Sequence, residues 1–277
     1  MALSTIYRAL TIAGTDPTGG AGIQADLKTF QELEVYGMSV ITSLVAQNTT
    51  GVRAIHHVPL EFIDQQFQAV VDDIYPSAIK TGMIALPEMM ELLQQQLNSH
   101  KNVPYVCDPV MMAKNGDPLL EKHVRAKLRE TLVPLATIVT PNIAEAEDLI
   151  DMQIDDIDDM EKAAIRIVKE LGAQSVVVKG GSLTGDAVDV FYSRETGLFK
   201  LDAPRTDTKH THGTGCTFSA AICAQLAKGI ALLDAVQKAK AFTADAITWS
   251  LQIGNGYGPT NHWGHRLNGL PGKNVNQ

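Results

Sequence analysis

The regular alternation of short aliphatic stretches with longer segments of helical periodicity constrains the fold of this chain more than any other feature of its sequence. Four short stretches have the composition of buried strands, and they cover residues 78–81, 105–108, 137–140 and 175–179. Segments with apolar residues three and four positions apart cover residues 87–98, 121–132, 142–150 and 160–171. Strands that alternate with helices predict βαβ units, right-handed crossovers and a mostly parallel sheet.

The two ends of the chain extend this pattern. The first part predicts strands over residues 7–14, 39–47 and 52–59 and helices over 23–35 and 61–74. Two strands over 187–192 and 197–203 flank a turn and predict an antiparallel hairpin at one edge of the sheet. Helices over 214–228 and 232–251 close the chain, and the acidic stretch 155–161 predicts a solvated helix start. Because no repeat or low-complexity linker interrupts the sequence, we expect residues 1–277 to form a single α/β domain.

Charge and cysteine content exclude several classes of protein. The formal net charge of -8 argues against a general nucleic-acid-binding protein, which needs a basic surface. No run of Lys and Arg indicates an anionic membrane partner, and no apolar stretch reaches the roughly 18 residues of a transmembrane helix. The three cysteines, Cys107, Cys216 and Cys223, are too few and too scattered for a disulfide framework or a zinc site. The apolar run near the N-terminus has no charged leader, so we expect a first strand and a cytoplasmic protein.

The segment HTHGTGCTFS, residues 210–219, predicts an anion site. Gly213 and Gly215 flank Thr214 directly before a helix of small residues. Glycines allow successive N–H groups to point into one concavity, and the helix N-terminus adds a partial positive charge. This arrangement suits a transferring phosphoryl group, although the Gly-Lys-Ser/Thr ending of a Walker motif is absent.

Cys216 lies in the first turn of the same helix. A helix N-terminus lowers the pKa of a thiol from its ordinary value of about 8.5. We therefore expect Cys216 to accept a proton from a substrate hydroxyl or to hydrogen-bond to that hydroxyl. The structural alternative is a small buried residue that closes a helix–strand contact.

Several motifs, taken in order along the chain, resemble a known family. The sequence GTGCTFS, the TPN motif with Glu145 three residues after its Asn142, and VKGG at 178–181 look like the ribokinase-like fold. Segments similar to bacterial hydroxymethylpyrimidine/phosphomethylpyrimidine kinases of thiamin biosynthesis cover residues 13–30, 36–49, 79–83, 108–117 and 211–222. The resemblance runs from about residue 8 to the GYGPTNH tail at 256–262.

The resemblance implies a three-layer α/β/α fold with a mostly parallel central sheet and an antiparallel edge hairpin, usually in a homodimer. It also implies ATP-dependent phosphorylation of the small molecule 4-amino-5-hydroxymethyl-2-methylpyrimidine and then of its monophosphate. Asp26 matches a family residue that lines the pyrimidine pocket, Gln47 matches one that bonds the pyrimidine, and both side chains suit its N–H donors and ring nitrogens. The structural alternatives are a solvated carboxylate in the first helix for Asp26 and a turn residue at a strand end for Gln47. Positions that match the pocket wall, or alternatively pack as ordinary core, are Gly14, Ala21, Val45 and Met83.

The same resemblance assigns the phosphate side. Asp108 and Glu145 match the acids that face Mg²⁺, which prefers oxygen ligands and retains several waters. Their structural alternatives are a polar strand end and a helix N-terminal acid. Lys179, at the end of a predicted buried strand, would neutralise the phosphate charge of ATP.

Three further residues complete this predicted ATP site. Asn142 would orient a phosphate or a metal-bound water, and a helix N-cap is compatible with that role. Thr211 and His212 line the approach to the glycine loop, with an exposed loop histidine as the alternative for His212.

The segment after Asp108 bears on specificity. Related pyridoxal kinases often carry a cysteine in this segment, the lid, and that cysteine contacts the aldehyde. This chain has Ala113 at the comparable place. Its lid resembles that of the pyrimidine kinases, with Asn115 in place of the usual Ser. A pyridoxal or pyridoxine kinase is nevertheless the alternative enzyme. A non-catalytic ligand-binding protein is the alternative from a different functional class. A protein that only binds a ligand does not need Lys179, Glu145 and the glycine loop together, which argues against this alternative.

Overall fold

The structure of the protein is a computed structural model that describes residues 5–111 and 120–267. Its elements in chain order are β1 (Arg8–Gly14), α1 (Gly22–Glu32), β2 (Tyr36–Asn48), β3 (Gly51–His57), α2 (Leu60–Val71), β4 (Ala78–Thr81), α3 (Pro87–Ser99), β5 (Tyr105–Cys107), α4 (Lys122–Thr131), β6 (Ile138–Val139), α5 (Ile143–Ile150), α6 (Ile157–Leu171), β7 (Ser175–Val178), β8 (Asp189–Ser193), β9 (Gly197–Leu201), α7 (Thr214–Ala227) and α8 (Leu232–Thr248). Two 3-10 turns cover Val133–Leu135 and Gly264–Leu267.

The nine strands form one sheet in the order β3-β2-β1-β4-β5-β6-β7-β8-β9. Strands β2, β1, β4, β5, β6 and β7 run parallel, and β8 and β9 continue antiparallel at one edge. The α/β fold and the edge hairpin are therefore confirmed. A second antiparallel pair, β2 with β3, forms the opposite edge of the sheet and was not predicted. The pair forms because β2 is 13 residues long and the chain turns back between Asn48 and Gly51.

Helices cover both faces of the sheet. Helices α1, α7 and α8 enclose one apolar core, which includes Phe30, Phe218 and Phe242, and α2 to α6 enclose a second core around Phe67 and Met89. The strands alternate between the two cores, because successive side chains of a strand point to opposite faces. Helix α7 is buried along almost its whole length, and its small residues allow this close packing against the sheet.

Local chemistry explains where several predicted boundaries shift. Helix α6 begins at Ile157 rather than at 160, because the side chain of Asp156 accepts a hydrogen bond from the N–H of Asp159 and caps the helix. The acidic stretch is thus a helix start, as expected. No helix within the described parts of the chain is long and apolar enough to cross a membrane.

The parallel strands place their carboxyl ends along one edge of the sheet. Gly14 ends β1, Thr81 ends β4, and Asp108 follows β5 directly. Asn142 and Lys179 follow β6 and β7 and form an isolated parallel bridge. In open α/β sheets ligands bind outside this edge, so the predicted site residues share one crevice.

Candidate active site

A cavity of about 740 Å³ lies along the carboxyl ends of the parallel strands. It is lined by every predicted site residue except one. The residues in its wall are Gly14, Ala21, Val45, Gln47, Met83, Asp108, Asn142, Glu145, Lys179, Thr211, His212, Gly213, Thr214, Gly215 and Cys216. The sequence motifs therefore converge on a single site, although they are spread over about 200 positions of the chain.

The glycine loop enters α7 in a conformation that only glycine tolerates. Gly213 has a φ of +79°, and a Cβ atom there would lie 1.7 Å from the carbonyl oxygen of Gly20. The hydroxyl of Thr214 donates to the carbonyl of Thr211 at 2.8 Å. Within the described residues, the N–H groups of Gly215 and Cys216 have no hydrogen-bond acceptor. Two donors at the positive end of α7 are therefore free for an anion, as predicted from the loop.

Asp16 joins the loop after β1 to the loop before α7. Its carboxylate accepts hydrogen bonds from the N–H groups of Gly20 and Ala21 and lies 2.7 Å from Nε2 of His212. Burial raises the pKa of the Asp16 carboxyl, but the hydrogen bonds from His212 and Thr18 outweigh it and lower the pKa to about 2. His212 is thus a partly buried, fixed residue of the cavity wall, and the exposed-loop alternative is wrong.

The centre of the cavity carries a group of buried charges. Nζ of Lys179 lies 3.4 Å from Oδ1 of Asp108, a residue that is 2 % exposed. The hydroxyl of Thr140 donates to the same oxygen, and the hydroxyl of Ser219 donates to Oδ2. Burial raises the pKa of Asp108, but Lys179 and the hydrogen bonds outweigh it and hold the pKa below its usual value. Asp108 therefore remains a carboxylate at neutral pH, so the site combines one fixed negative and one fixed positive charge.

Glu145 stands beside this pair at the start of α5. It is 4 % exposed, and burial, with the charge of Asp108, raises its pKa to about 7 against the opposing effect of Lys179. Its Oε2 accepts from the N–H of Asn142, while its own N–H donates to Oδ1 of Asn142. This reciprocal capping box confirms the N-cap role of Asn142 and fixes both side chains at the cavity.

Cys216 differs from the expectation for a thiol at a helix start. Burial raises the pKa of its thiol to about 12, although Lys80 and a hydrogen bond from the N–H of Gly22 act in the opposite direction. The prediction that the helix N-terminus lowers this pKa is therefore wrong, because desolvation in the cavity wall outweighs the field of the helix. At neutral pH the thiol keeps its proton, which favours hydrogen bonding over proton acceptance.

Asp26 is the predicted residue that does not line the cavity. Its side chain is fully buried beneath the cavity floor, where it forms an ion pair with Lys80 and accepts a hydrogen bond from Thr11. The expectation that it lies in the pocket wall is therefore corrected. No local pattern predicts this pair, because Asp26 and Lys80 are 54 positions apart.

The wall near β1 and β2 is suited to a flat ring. A Cβ atom on Gly14 would lie 2.8 Å from Cε of Met83, so glycine leaves space for this side chain. Val45 donates its N–H to the hydroxyl of Thr15, which fixes β2 against the loop. Within the described residues, no group hydrogen-bonds to the side-chain amide of Gln47, so both its donor and its acceptor are free for a ligand.

Asp189 is a second structural residue that the sequence did not reveal. Its carboxylate accepts from the N–H of Gly180 at 3.0 Å and from Nζ of Lys240 at 2.7 Å. It thereby fixes the turn after Lys179 to helix α8. No local pattern predicts this contact, since Asp189 is the first residue of β8 and Lys240 lies 51 positions further on.

Known proteins resemble the chain over nearly its full length. The family of phosphomethylpyrimidine kinases matches residues 16–261. A hydroxymethylpyrimidine/phosphomethylpyrimidine kinase of Staphylococcus aureus is 49% identical over 259 residues, which are 93% of this chain and 94% of that protein.

Two solved structures show the same fold. The Bacillus subtilis pyridoxal kinase in an ADP complex has a TM-score of 0.89 and 42% identity, and it covers 95% of this chain and 100% of its own. The phosphomethylpyrimidine kinase of Clostridium difficile has a TM-score of 0.78 and 41% identity, and it covers 87% of this chain and 99% of its own. The family match and the extended identity together place the chain in the phosphomethylpyrimidine kinase family.

Proposed function

We propose that this protein transfers the γ-phosphate of ATP to 4-amino-5-hydroxymethyl-2-methylpyrimidine and then phosphorylates the monophosphate to the diphosphate, for thiamin biosynthesis. One observation carries the proposal: the anion-binding start of α7, the Lys179–Asp108 pair and the free amide of Gln47 line the same cavity. A phosphoryl donor and a polar heteroaromatic acceptor can thus meet at one point. The named activity of the relatives supports the choice of acceptor.

On the acceptor side, the ring would lie against Val45 and Met83, with Gly14 and Ala21 leaving room for it. The amide of Gln47 can donate to a ring nitrogen and accept from the exocyclic amine. This orientation would direct the hydroxymethyl group towards Cys216. Since the thiol is protonated at neutral pH, its proposed role is to hold the hydroxyl in line for transfer.

On the donor side, phosphoryl transfer needs positioning and charge neutralisation more than covalent chemistry. The substrate hydroxyl oxygen attacks the γ-phosphorus, the bond from that phosphorus to the bridging oxygen of ADP breaks, and an oxygen of the transferred phosphoryl group takes up the hydroxyl proton. The free N–H groups of Gly215 and Cys216 would receive the oxygens of the transferring group, and Lys179 would offset their negative charge. We assign Thr211, His212 and Thr214 to the shaping of this loop around the phosphates.

The residues at the centre of the cavity also fit Mg²⁺. In the described parts of the chain no three His, Cys, Asp or Glu residues group as a metal site, but Asp108 and Glu145 present two buried carboxyl groups next to the anion loop. Mg²⁺ is commonly held by one or two carboxylates together with substrate phosphates and water. When bound, the ion would neutralise phosphate charge, and Asn142 would help to orient its water shell.

A pyridoxal kinase is the second candidate function. It is favoured by the close structural match to the Bacillus subtilis pyridoxal kinase. The residues that bear most on this choice, Ala113 and Asn115 of the predicted lid, lie outside the described residues. A coupled ADP-release assay with separate acceptors tests both candidates: turnover with the pyrimidine alcohol and its monophosphate supports the first, and turnover with pyridoxal alone supports the second.

We further propose a cytoplasmic homodimer of single-domain subunits. Strand β3 forms an edge of the sheet, and Leu44 and Ile55 on the β2–β3 ribbon are exposed apolar residues. A second copy of the chain would cover this ribbon, and the cytoplasm supplies ATP. Sedimentation velocity tests the dimer: wild type should sediment as a dimer and Ile55→Lys as a smaller species.

A further inference from the structure

The GYGPTNH segment, residues 256–262, is a motif to which the proposed chemistry gives no role. It follows α8, and none of its residues belongs to the described wall of the cavity. Thr260, Asn261 and His262 are nevertheless at most 3 % exposed. A segment that is buried behind the wall of a site can act on that site only through the residues that it contacts.

One end of the segment contacts the turn between β2 and β3. The N–H of Tyr257 donates to the carbonyl of Thr49 at 2.9 Å, and the N–H of Gly256 donates to the hydroxyl of Thr49 at 3.2 Å. A Cβ atom on Gly256 would lie 1.9 Å from the carbonyl oxygen of Thr49, so only glycine allows this close approach. Thr49 directly follows β2, two positions after Gln47. The segment therefore fixes the turn next to the free amide of Gln47.

The next residues of the segment contact the chain directly before the glycine loop. The N–H of His212 donates to the carbonyl of Gly258, and the N–H of Thr260 donates to the carbonyl of His212, each at 3.1 Å. These bonds form a parallel bridge between His212 and Pro259. The N–H of Gly258 also donates to Nδ1 of His210 at 3.0 Å. Three hydrogen bonds thus hold the segment to the loop that leads into α7.

The same five residues, 256–260, therefore join the acceptor wall of the cavity to the phosphate loop. We infer that they position the Gln47 turn relative to the glycine loop, and that Thr49 and Gly256 are positioning residues for the phosphoryl acceptor. The inference rests on the proposed function, because it takes Gln47 as a ligand of the acceptor and the start of α7 as the phosphoryl site. Transfer requires the reacting atoms to lie about 3–3.5 Å apart, so the distance between these two walls affects turnover directly.

Gly256→Ala tests the inference by a steric displacement. The added Cβ atom must move by more than 1 Å from the carbonyl oxygen of Thr49 to reach an ordinary contact. Because three hydrogen bonds hold the segment to His210 and His212, whereas Thr50 of the turn is exposed, we expect the turn to move. KM for the acceptor should rise and kcat/KM should fall by about ten- to a hundredfold, while Kd for ADP in calorimetry stays within about twofold.

Thr49→Val is a milder variant of the same contact. Valine keeps the branched shape and removes the hydroxyl that accepts from Gly256, so KM for the acceptor should rise by about two- to fivefold, within the worth of one neutral hydrogen bond. Thr49→Ser keeps the hydroxyl and should restore KM. Thr50→Val is the matched control, because the hydroxyl of Thr50 donates to Asn48 within the turn at 2.6 Å, and its KM should equal that of the wild type.

These constants separate positioning from stability. A merely structural role would lower Tm and the folded fraction but would leave KM for the acceptor unchanged. An unchanged KM in Thr49→Val, or a loss of ADP affinity as large as the rise in KM, would overturn the inference, and Thr49→Val decides alone if Gly256→Ala does not fold. The acceptor is the pyrimidine alcohol or pyridoxal, whichever the wild type phosphorylates; a folded wild type that phosphorylates neither would contradict the proposed function and the inference with it.

Discussion

Nζ of Lys80 lies 2.8 Å and 2.7 Å from the two carboxylate oxygens of Asp26, and both side chains are fully buried. The pair joins β4 to α1 beneath the floor of the cavity. Burial raises the pKa of Asp26 and lowers that of Lys80, but the attraction of Asp26 outweighs burial for the lysine and keeps its pKa above the usual value. Two charges that are costly to desolvate are thus retained directly below the site.

Removing one partner of this pair should destabilise the fold strongly. Lys80→Met leaves the Asp26 carboxylate buried without a counter-charge, and we expect a loss of about 3–5 kcal/mol in the free energy of unfolding. The double variant Lys80→Met/Asp26→Asn removes both charges and leaves an acceptor for Thr11, so it should recover about half of that loss. Urea unfolding measures both values, and a double variant no more stable than the single one would contradict the account.

The Lys80–Asp26 pair also shows which features sequence periodicity can predict and which it cannot. The strand over 78–81 was predicted with its correct bounds, because its composition is local information. The partner of its lysine depends on how α1 packs on the sheet, which the chain order alone does not reveal. The β2–β3 ribbon was missed as a hairpin for a similar reason, since its pairing depends on the length by which β2 extends beyond the core.

Replacing Gly215 by alanine should lower the rate of phosphoryl transfer without lowering the stability of the fold. A Cβ atom there would lie 3.3 Å from Nζ of Lys179 and 4.0 Å from Oδ2 of Asp108. Gly215→Ala should therefore displace the lysine and lower kcat/KM by about tenfold or more, while helix propensity leaves the stability equal or up to about 1 kcal/mol higher.

Gly181→Ala is the matched control for Gly215→Ala. A Cβ atom at Gly181 meets no atom within 4 Å, so steady-state kinetics should show a change of less than about twofold by the same steric argument. Equal losses of activity in the two variants would show that the Lys179 contact is not the cause.

Cys216 should react slowly but matter greatly for turnover. With its pKa at about 12, the thiol should be alkylated by iodoacetamide at pH 8 much more slowly than a free cysteine, whose pKa is about 8.5. Cys216→Ala should lower kcat by about 10²-fold while ATP still binds, because the group that orients the hydroxyl is lost. Wild-type turnover in this variant would refute the role, and Cys216→Asp tests whether another polar group can replace the thiol.

His262 gives the fold a defined dependence on pH. Burial, together with the positive charge of Lys28, lowers the pKa of its imidazole from 6.5 to about 4, and Nε2 lies 3.2 Å from the hydroxyl of Thr217. The unfolded chain therefore binds the proton more tightly. The contribution of His262 to the free energy of unfolding is complete above pH 6.5. It falls by about 1.4 kcal/mol for each pH unit as the pH falls towards 4.

His262→Gln should remove this dependence. Thermal unfolding between pH 7.5 and 4.5 should show a smaller decrease in Tm for the variant than for the wild type. Parallel curves for the two proteins would mean that His262 titrates normally in the folded state.

The site could be predicted from sequence where its residues belong to contiguous motifs. The glycine loop, Lys179 and Gln47 stand in such motifs, and the parallel sheet brings their loops together. Asp16 and Asp189 were missed, because each acts through a contact with a residue far away in the chain. The pKa of Cys216 was predicted in the wrong direction, since the sequence shows the helix start but not the burial.

Phosphorus-31 NMR of one reaction mixture tests the central claim most directly. The purified protein is incubated with ATP, Mg²⁺, 4-amino-5-hydroxymethyl-2-methylpyrimidine and an equal concentration of pyridoxal. We expect the pyrimidine monophosphate to appear first and then to convert to the diphosphate, with little pyridoxal phosphate. Formation of pyridoxal phosphate alone, or ATP left unchanged by folded protein, would contradict the account.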